Sequence, residues 1–349
     1  MPSAISPEPV SLPKWQRPAK TQQELPWADI AVIDISKFDQ PGGKKYLIDT
    51  GFTSEEVQRQ YDIGQGFFNL HAEDEARPGN TCDFSKGSYF GYRSAHDKKM
   101  QGTDVLNNVE SVNIAKFIPN YKDEPFHSFF ERFRQEIEDF SRVRIPIFTS
   151  LGFALPRPRK QSLHPLLHHS GATRRLLLLP PRLRLPKRRP PPLHGLPPRP
   201  FADDLKVGNT WSRAHTDLGS LTLLWNQDVA GLQIKASSGA CAGQWRYVPS
   251  VDNGIVCNVN GTLDFWSAGY LKSTTHRVVR PPEDQAHLFR QGLFYFVRPG
   301  DDVDIKPAPS PLLKRLGLVG EDAEEAAPVR GLQGRSFRLG NLEIEDEAE

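Results

Sequence analysis

His215-Thr216-Asp217-Leu218-Gly219-Ser220-Leu221-Thr222-Leu223-Leu224-Trp225, answered further on by Lys272-Ser273-Thr274-Thr275-His276-Arg277-Val278, decides how this chain is read. In a strand, residues i and i+2 share a face, so His215 and Asp217 can look into one cavity. His276 would join them from a distant strand. Two imidazoles and one carboxylate fill one face of an octahedron around Fe(II) and leave three positions open for O2 and an organic co-substrate. The competing reading is a polar strand surface, because a His-x-Asp by itself is common.

The flanks favour the first reading. Residues 218–225 are rich in strand-forming types, and 229–234 read as a turn plus a strand. Residues 245–249, 254–259, 263–267 and 292–297 read as further short strands, separated by Gly, Pro, Asn and Asp. That rhythm predicts an antiparallel sandwich or barrel. Upstream, Thr53-Ser54-Glu55-Glu56 is a capping box opening a helix that runs to Phe68. Apolar residues at 126, 129, 130, 133, 137 and 140 predict a second helix over 124–141. Those phenylalanines read as core. Tyr89, Phe90 and Tyr92, beside glycine, read as a loop over the mouth of a site or as ordinary turn packing.

Taken together, residues 215–224, 230–234 and 266–279 resemble the isopenicillin N synthase-like branch of the Fe(II)/2-oxoglutarate-dependent dioxygenases. Weaker likeness runs through Ile33-Asp34-Ile35, 61–68, 87–92 and Asn108-Val109-Glu110. The resemblance implies a mainly β fold with helices: a double-stranded β-helix (jelly roll) core with an N-terminal helical domain. It implies that His215, Asp217 and His276 ligate Fe(II), with no catalytic side chain beyond them. It further implies that Arg290 grips the C5 carboxylate of 2-oxoglutarate, with O2 as oxidant. The family usually has a serine two residues after that arginine; here Gly292 stands there. The bidentate guanidinium–carboxylate pair is the stronger part of such a contact and is retained. Thr222 and Asn258 are candidates for tuning the site, or satisfied polar groups of the core. The implied activity is oxidation of a small organic molecule by hydroxylation, desaturation or cyclisation, in specialised metabolism. An iron oxidase of the same fold without 2-oxoglutarate, and a non-catalytic relic, remain as alternatives.

The middle of the chain breaks the pattern. Residues 140–202 contain no acid, and 156–200 hold eleven Lys and Arg, twelve Pro and four of the ten histidines. The net charge of +2 therefore hides −9 outside 156–200. Proline at that density breaks helix and strand alike. We read 151–204 as an aberrant Pro/Arg-rich segment, with the composition of a GC-rich coding stretch read out of frame or through an intron. A solvated basic linker and an anion-binding segment are the alternatives. The family places in this interval a jelly-roll strand carrying a co-substrate-touching tyrosine, so that strand is expected to be missing. His164, His168, His169 and His194 fall in the segment and are discounted as ligands.

The remaining expectations are a flexible arm (1–27), an N-terminal helical or mixed domain (28–150), a jelly-roll domain (205–315) and an acidic tail (316–349). Three cysteines, Cys82, Cys241 and Cys257, build no disulfide framework and suit a reducing, cytoplasmic setting. There is no membrane-span candidate and no signal segment. The expected partner is a small-molecule substrate, not nucleic acid or membrane, and the chain is expected to act as a monomer.

Overall fold

The computed structural model describes residues 12–30, 50–70, 90–100, 102–115, 117, 119–124, 126–142, 193–225, 227–298, 304–308, 310–320 and the pairs 329–330, 338–339 and 342–343. The strands that build the core are β1 (Gly91–Arg93), β2 (Glu110–Asn113), β3 (Leu193–Leu196), β4 (Thr210–His215), β5 (Leu221–Trp225), β6 (Leu232–Lys235), β7 (Trp245–Tyr247), β8 (Ile255–Val259), β9 (His276–Val279) and β10 (Arg290–Val297). They form two antiparallel sheets, one of six strands in the order β1-β2-β3-β10-β5-β8 and one of four in the order β4-β9-β6-β7. β1, β2 and β3 follow one another in the large sheet and β6 and β7 in the small one, while β10 enters between β3 and β5 and β9 between β4 and β6, the crossovers of a jelly roll.

Strand β10 shows how the pleat sorts side chains. Gln291, Leu293, Tyr295 and Val297 are buried on the face toward helix α1 (Ser54–Phe68). There the Gln291 Nε2 donates to the Tyr61 carbonyl at 2.9 Å. Arg290, Gly292, Phe294 and Phe296 alternate onto the other face, between the two sheets. Helix α1 starts as the sequence predicts: the Thr53 hydroxyl accepts from the Glu56 amide and the Glu56 carboxylate accepts from the Thr53 amide. The second predicted helix is split into α2 (Ser128–Glu131) and α3 (Arg134–Arg142), and Glu124 to His127 lie outside it. Its stripe is core all the same: Phe129, Phe130, Phe133, Ile137 and Phe140 are buried. Phe140 meets Trp225 of β5 at 5.2 Å between centroids, which locks the helices onto the large sheet.

Several expectations need correction. The jelly roll does not lack a strand in the basic interval. β3 lies between β2 and β10 with Leu193 and Leu196 buried, so the start expected at 205 is too late. Pairing on both edges supplies what local composition does not. Helix α4 (Phe201–Lys206) follows, and its Asp204 is fully buried, accepting from Arg199 and from the Trp211 indole. Residues 143–192, including His164, His168 and His169, lie outside the described residues. The expected strand at 263–267 is instead helix α5 (Gly261–Trp266), which buries Leu263 and Trp266 one turn apart. Asn260 is its N-cap residue. Tyr92 is not at the mouth of a site: it is buried against Phe67, and its hydroxyl donates to Glu110. Phe90 packs on Tyr121, and Tyr89 lies outside the described residues.

Described parts of both terminal regions are paired as well. From residue 12 the expected flexible arm is a strap along the barrel. Trp15 stacks on Tyr61 at 4.2 Å, Arg17 pairs with Asp228, and Gln22 and Thr21 bond Asp284. Trp27 bridges to Tyr247 beside the edge of the small sheet. In the expected acidic tail, Val329–Arg330 pair with Asp304–Ile305. No helix among the described residues is long and apolar enough to cross a membrane.

Candidate metal centre

His215, Asp217 and His276 converge: one ligand-capable atom from each lies within 4.8 Å of the others. The two imidazole rings are 4.4 Å apart between centroids. Asp217 Oδ1 stands 3.4 Å from the Nε2 of His215 and 3.7 Å from the Nε2 of His276. The two histidines face each other directly, as paired residues of β4 and β9. The sequence argument for Asp217 was the wrong one, however. β4 ends at His215 and its register slips twice along the way, so Asp217 reaches the cluster from the turn beyond the strand. That turn is held from below: the Gly261 amide donates to the Asp217 carbonyl at 2.9 Å, and the Thr262 amide to Gly219. Gly219 has φ +111°, and a Cβ there would meet the Val297 carbonyl at 2.9 Å, so only glycine turns the chain here.

The hydrogen bonds behind the cluster orient it. His215 Nδ1 lies 2.8 Å from the Arg213 carbonyl, and His276 Nδ1 lies 3.1 Å from the Thr274 carbonyl. A carbonyl only accepts, so each Nδ1 carries a proton, and each Nε2 is turned toward Asp217. Asn258 Nδ2 also approaches His276 Nδ1, but at 3.4 Å between two donors this is the weaker contact. Thr222 donates to Asp217 Oδ2 at 2.6 Å and leaves Oδ1 to face the imidazoles. Burial by itself would raise the Asp217 carboxyl. The hydrogen bond from His215 and the nearby imidazoles outweigh it and hold the group well below the usual carboxylate range. Burial lowers the His276 imidazole, and Asp217 opposes it in part. Two imidazole nitrogens and an ionised oxygen on one side, each braced by an outer partner, suit a single divalent ion of the iron type.

Arg290 lies at the other end of the space between the sheets. It is 4 % exposed and makes no ion pair among the described residues, and its Nε has no hydrogen-bond partner. Burial pushes its guanidinium down to about 10. An uncompensated buried cation is costly, and a bound carboxylate would offset that cost. It borders a cavity of about 250 Å³ whose wall includes Leu224 and Val256 from the large sheet and Leu232 and Val248 beside it. Neither family partner of this arginine is present. Gly292 has no hydroxyl, and a Cβ there would lie 2.4 Å from the Phe294 ring, which fills the space. The tyrosine expected on an entry strand is absent from β3 as well, where the residue paired with Arg290 is Leu196.

His194, discounted as a ligand in the sequence, lies in β3. His194 pairs with Gly292 on one side and Ser111 on the other, and Ser111 pairs with Arg93. Directly opposed residues share a face, so this row looks inward. The His194 ring lies 4.6 Å from Phe294, and burial pushes it down to about 4, with Asp217 and His215 among the nearest charges. Its Pro/Arg-rich surroundings gave no sign of this; only an apolar-polar-small-apolar alternation at 193–196 could have.

The sequence pattern of the 2OG-Fe(II) oxygenase superfamily matches residues 193–309. Along most of its length the chain is 27 % identical to the UPF0676 protein C1494.01 of Schizosaccharomyces pombe, over 88 % of this chain and 91 % of that protein. It is 38 % identical to a 1-aminocyclopropane-1-carboxylate oxidase of Persea americana over 34 % of this chain, and spans 32 % of that enzyme's length. Among solved structures, a full-length Neurospora crassa protein crystallised in complex with alpha-KG and thymine superposes with a TM-score of 0.61 at 20 % identity, over 88 % of this chain and 96 % of that one. The match to the 2OG-Fe(II) oxygenase superfamily thus covers residues 193–309, the part of the chain that holds His215, Asp217, His276 and Arg290.

Proposed function

We propose that His215, Asp217 and His276 hold Fe(II), that Arg290 holds the C5 carboxylate of 2-oxoglutarate, and that the chain oxidises a small organic molecule by hydroxylation, desaturation or cyclisation. The convergence of the three side chains within 4.8 Å is the observation that carries this reading. When bound, the iron and 2-oxoglutarate supply activation of O2, with succinate and CO2 as the co-products. The protein's own part is geometric. Thr222 aims the Asp217 carboxylate, the Arg213 and Thr274 carbonyls fix the histidine tautomers, and Leu224, Val256, Phe294 and Phe296 keep the space between the sheets dry. We further assign the activity to specialised metabolism, to a monomer and to the cytoplasm; the cysteine usage supports the last of these alone.

The test is succinate release with and without Arg290. Arg290→Ala is expected to raise the 2-oxoglutarate requirement at least roughly tenfold, since a charge-assisted pair in a buried site is worth on the order of 2–5 kcal/mol. A second reading has its own support. Gly292 and Leu196 strip Arg290 of helpers, and the local relatives are named as oxidases. Turnover that proceeds equally without 2-oxoglutarate would favour that iron oxidase.

A further inference from the structure

We infer that Gln227 is a second ligand for the distal carboxylate of the co-substrate, standing in for the serine and tyrosine that Arg290 lacks here. The inference rests on the metal centre and the Arg290 assignment proposed above, and adds a binding residue to them. Gln227 lies two residues beyond β5 and is 6 % exposed. Its Oε1 accepts from the Val229 amide at 3.2 Å, and its Nε2 has no partner among the described residues. A backbone N–H only donates, so this contact also fixes which end of the side chain is the NH2 group. The loop around it is clamped. Gln285 donates to the Asp228 carbonyl and accepts from the Ala230 amide, both at 2.8 Å, and Arg17 of the strap pairs with the Asp228 carboxylate. The spare donor is therefore held in one place and cannot swing away to find a partner.

Gln227 and Arg290 line the same cavity. The other ionic and hydroxyl side chains of its wall are engaged: Lys20 with Asp252, Thr21 with Asp284, and Ser250 with Asp228, which also holds Arg17. Trp225 Nε1 lacks a partner too, but its ring packs on Phe52 and Phe140, away from the space between the sheets. A buried donor without an acceptor is costly, and an acceptor on a ligand would remove that cost. The group that Gln227 and Arg290 share must accept hydrogen bonds and carry negative charge. An ammonium fails on both counts, and a keto or ester oxygen fails on the second. A carboxylate meets both, with one oxygen for the guanidinium and one for the amide. The amide adds its donor without adding charge, so one carboxylate is still balanced by Arg290 alone. That is also the part a serine or tyrosine hydroxyl plays.

The test compares two acids that differ only at the distal end: 2-oxoglutarate, and 2-oxopentanoate, which ends in a methyl group. Full-length protein is loaded with Mn(II), so that no turnover intervenes. Mn(II) occupancy is read by electron paramagnetic resonance, and binding of each acid by calorimetry. Gln227→Met keeps the volume and removes the donor. Gln227→Glu keeps an oxygen for the Val229 amide and turns a second carboxylate on the ligand. Affinity for 2-oxoglutarate is expected to fall roughly tenfold in Gln227→Met and further in Gln227→Glu. Binding of 2-oxopentanoate and Mn(II) occupancy should not change. Binding of 2-oxoglutarate by Gln227→Met within about twofold of wild type overturns the inference. So do equal losses for the two acids, because Gln227 would then only hold its loop. If neither variant folds, the wild-type protein decides, loaded with Zn(II), labelled on its side-chain amides and read by nuclear magnetic resonance. There 2-oxoglutarate is expected to shift a glutamine NH2 pair that 2-oxopentanoate leaves in place, and the absence of such a shift overturns the inference. A wild-type protein that binds Mn(II) but not 2-oxoglutarate removes the Arg290 assignment, and one that binds no Mn(II) removes the metal centre; the inference falls with either.

Discussion

Thr222→Val removes one hydroxyl and almost no volume, and so isolates the brace behind Asp217. In the structure Thr222 donates to Asp217 Oδ2 at 2.6 Å and accepts from Asn260 Nδ2 at 3.0 Å. Asn258 Nδ2, 3.4 Å from the same oxygen, is too far to replace it. A hydrogen bond to a charged acceptor contributes about 1.5–3 kcal/mol. Part of that loss is common to the metal-free and metal-loaded protein and cancels in the affinity. The part that does not cancel is the freedom the carboxylate gains when no metal holds it. We therefore expect Mn(II) affinity to fall roughly tenfold, within the usual 10–100-fold range for a partner behind a ligand. The metal-free protein should also lose about 1–2 kcal/mol of stability, from the orphaned Asn260 amide and the unbraced carboxylate. Competition against a chelator at neutral pH measures the first, and urea unfolding the second. Thr222→Ser should recover most of both. A Thr222→Val protein that binds Mn(II) within about twofold of wild type would refute the idea that this hydroxyl positions the ligand.

Other outcomes follow from features away from the brace. Gly292→Ser, which restores the usual family residue, is expected to lower the melting temperature and to leave 2-oxoglutarate affinity unimproved, because its Cβ would meet the Phe294 ring at 2.4 Å; pairing it with Phe294→Leu should recover both. Asp204→Ala strands the buried Arg199 guanidinium and the Trp211 indole, and should cost about 3–5 kcal/mol in denaturant unfolding. The imidazole of His194 titrates near 4 in the folded chain and near its ordinary value when unfolded. The unfolded state thus binds the extra proton between those values, so stability is full above about pH 6.5 and falls as pH drops toward 4, by at most about 3 kcal/mol. His194→Phe should flatten that acid limb of the unfolding free energy, and an unchanged limb would show that other groups set it.

The metal cluster was legible because its chemistry is written in short windows: a His-x-Asp before a strand and a His opening another. The capping box at Thr53 and the apolar runs at 221–225, 255–259 and 290–297 were legible for the same reason, since each is decided by neighbours in sequence. What failed needed partners far away. β3 carries a glycine and lies in a proline-rich stretch; only β2 and β10, pairing on its two edges, make it a strand. Leu263 to Trp266 contain strand-forming types, yet a helix that starts at Gly261 turns both apolar residues inward. Asp217 belongs to the cluster through a turn pinned by the amides of Gly261 and Thr262, and period-2 reasoning does not see such a turn. The strap at 12–28 has no periodicity at all. It docks one side chain at a time, on residues chosen by the finished barrel.

That strap has a consequence for how the molecule is made. Its anchors are Tyr61 near the start of the chain, but also Asp228, Asp252 and Asp284, and Gln285, which donates to the Ala19 carbonyl at 2.7 Å. A ribosome releases residues 12–28 long before those anchors exist. That segment must therefore wait for most of its anchors until nearly the last strand of the barrel has emerged. Closing loops of more than two hundred residues is slow, and this step belongs late in folding. Fusions placed directly on the first dozen residues would load that late step, whereas the same fusion at the other end would not.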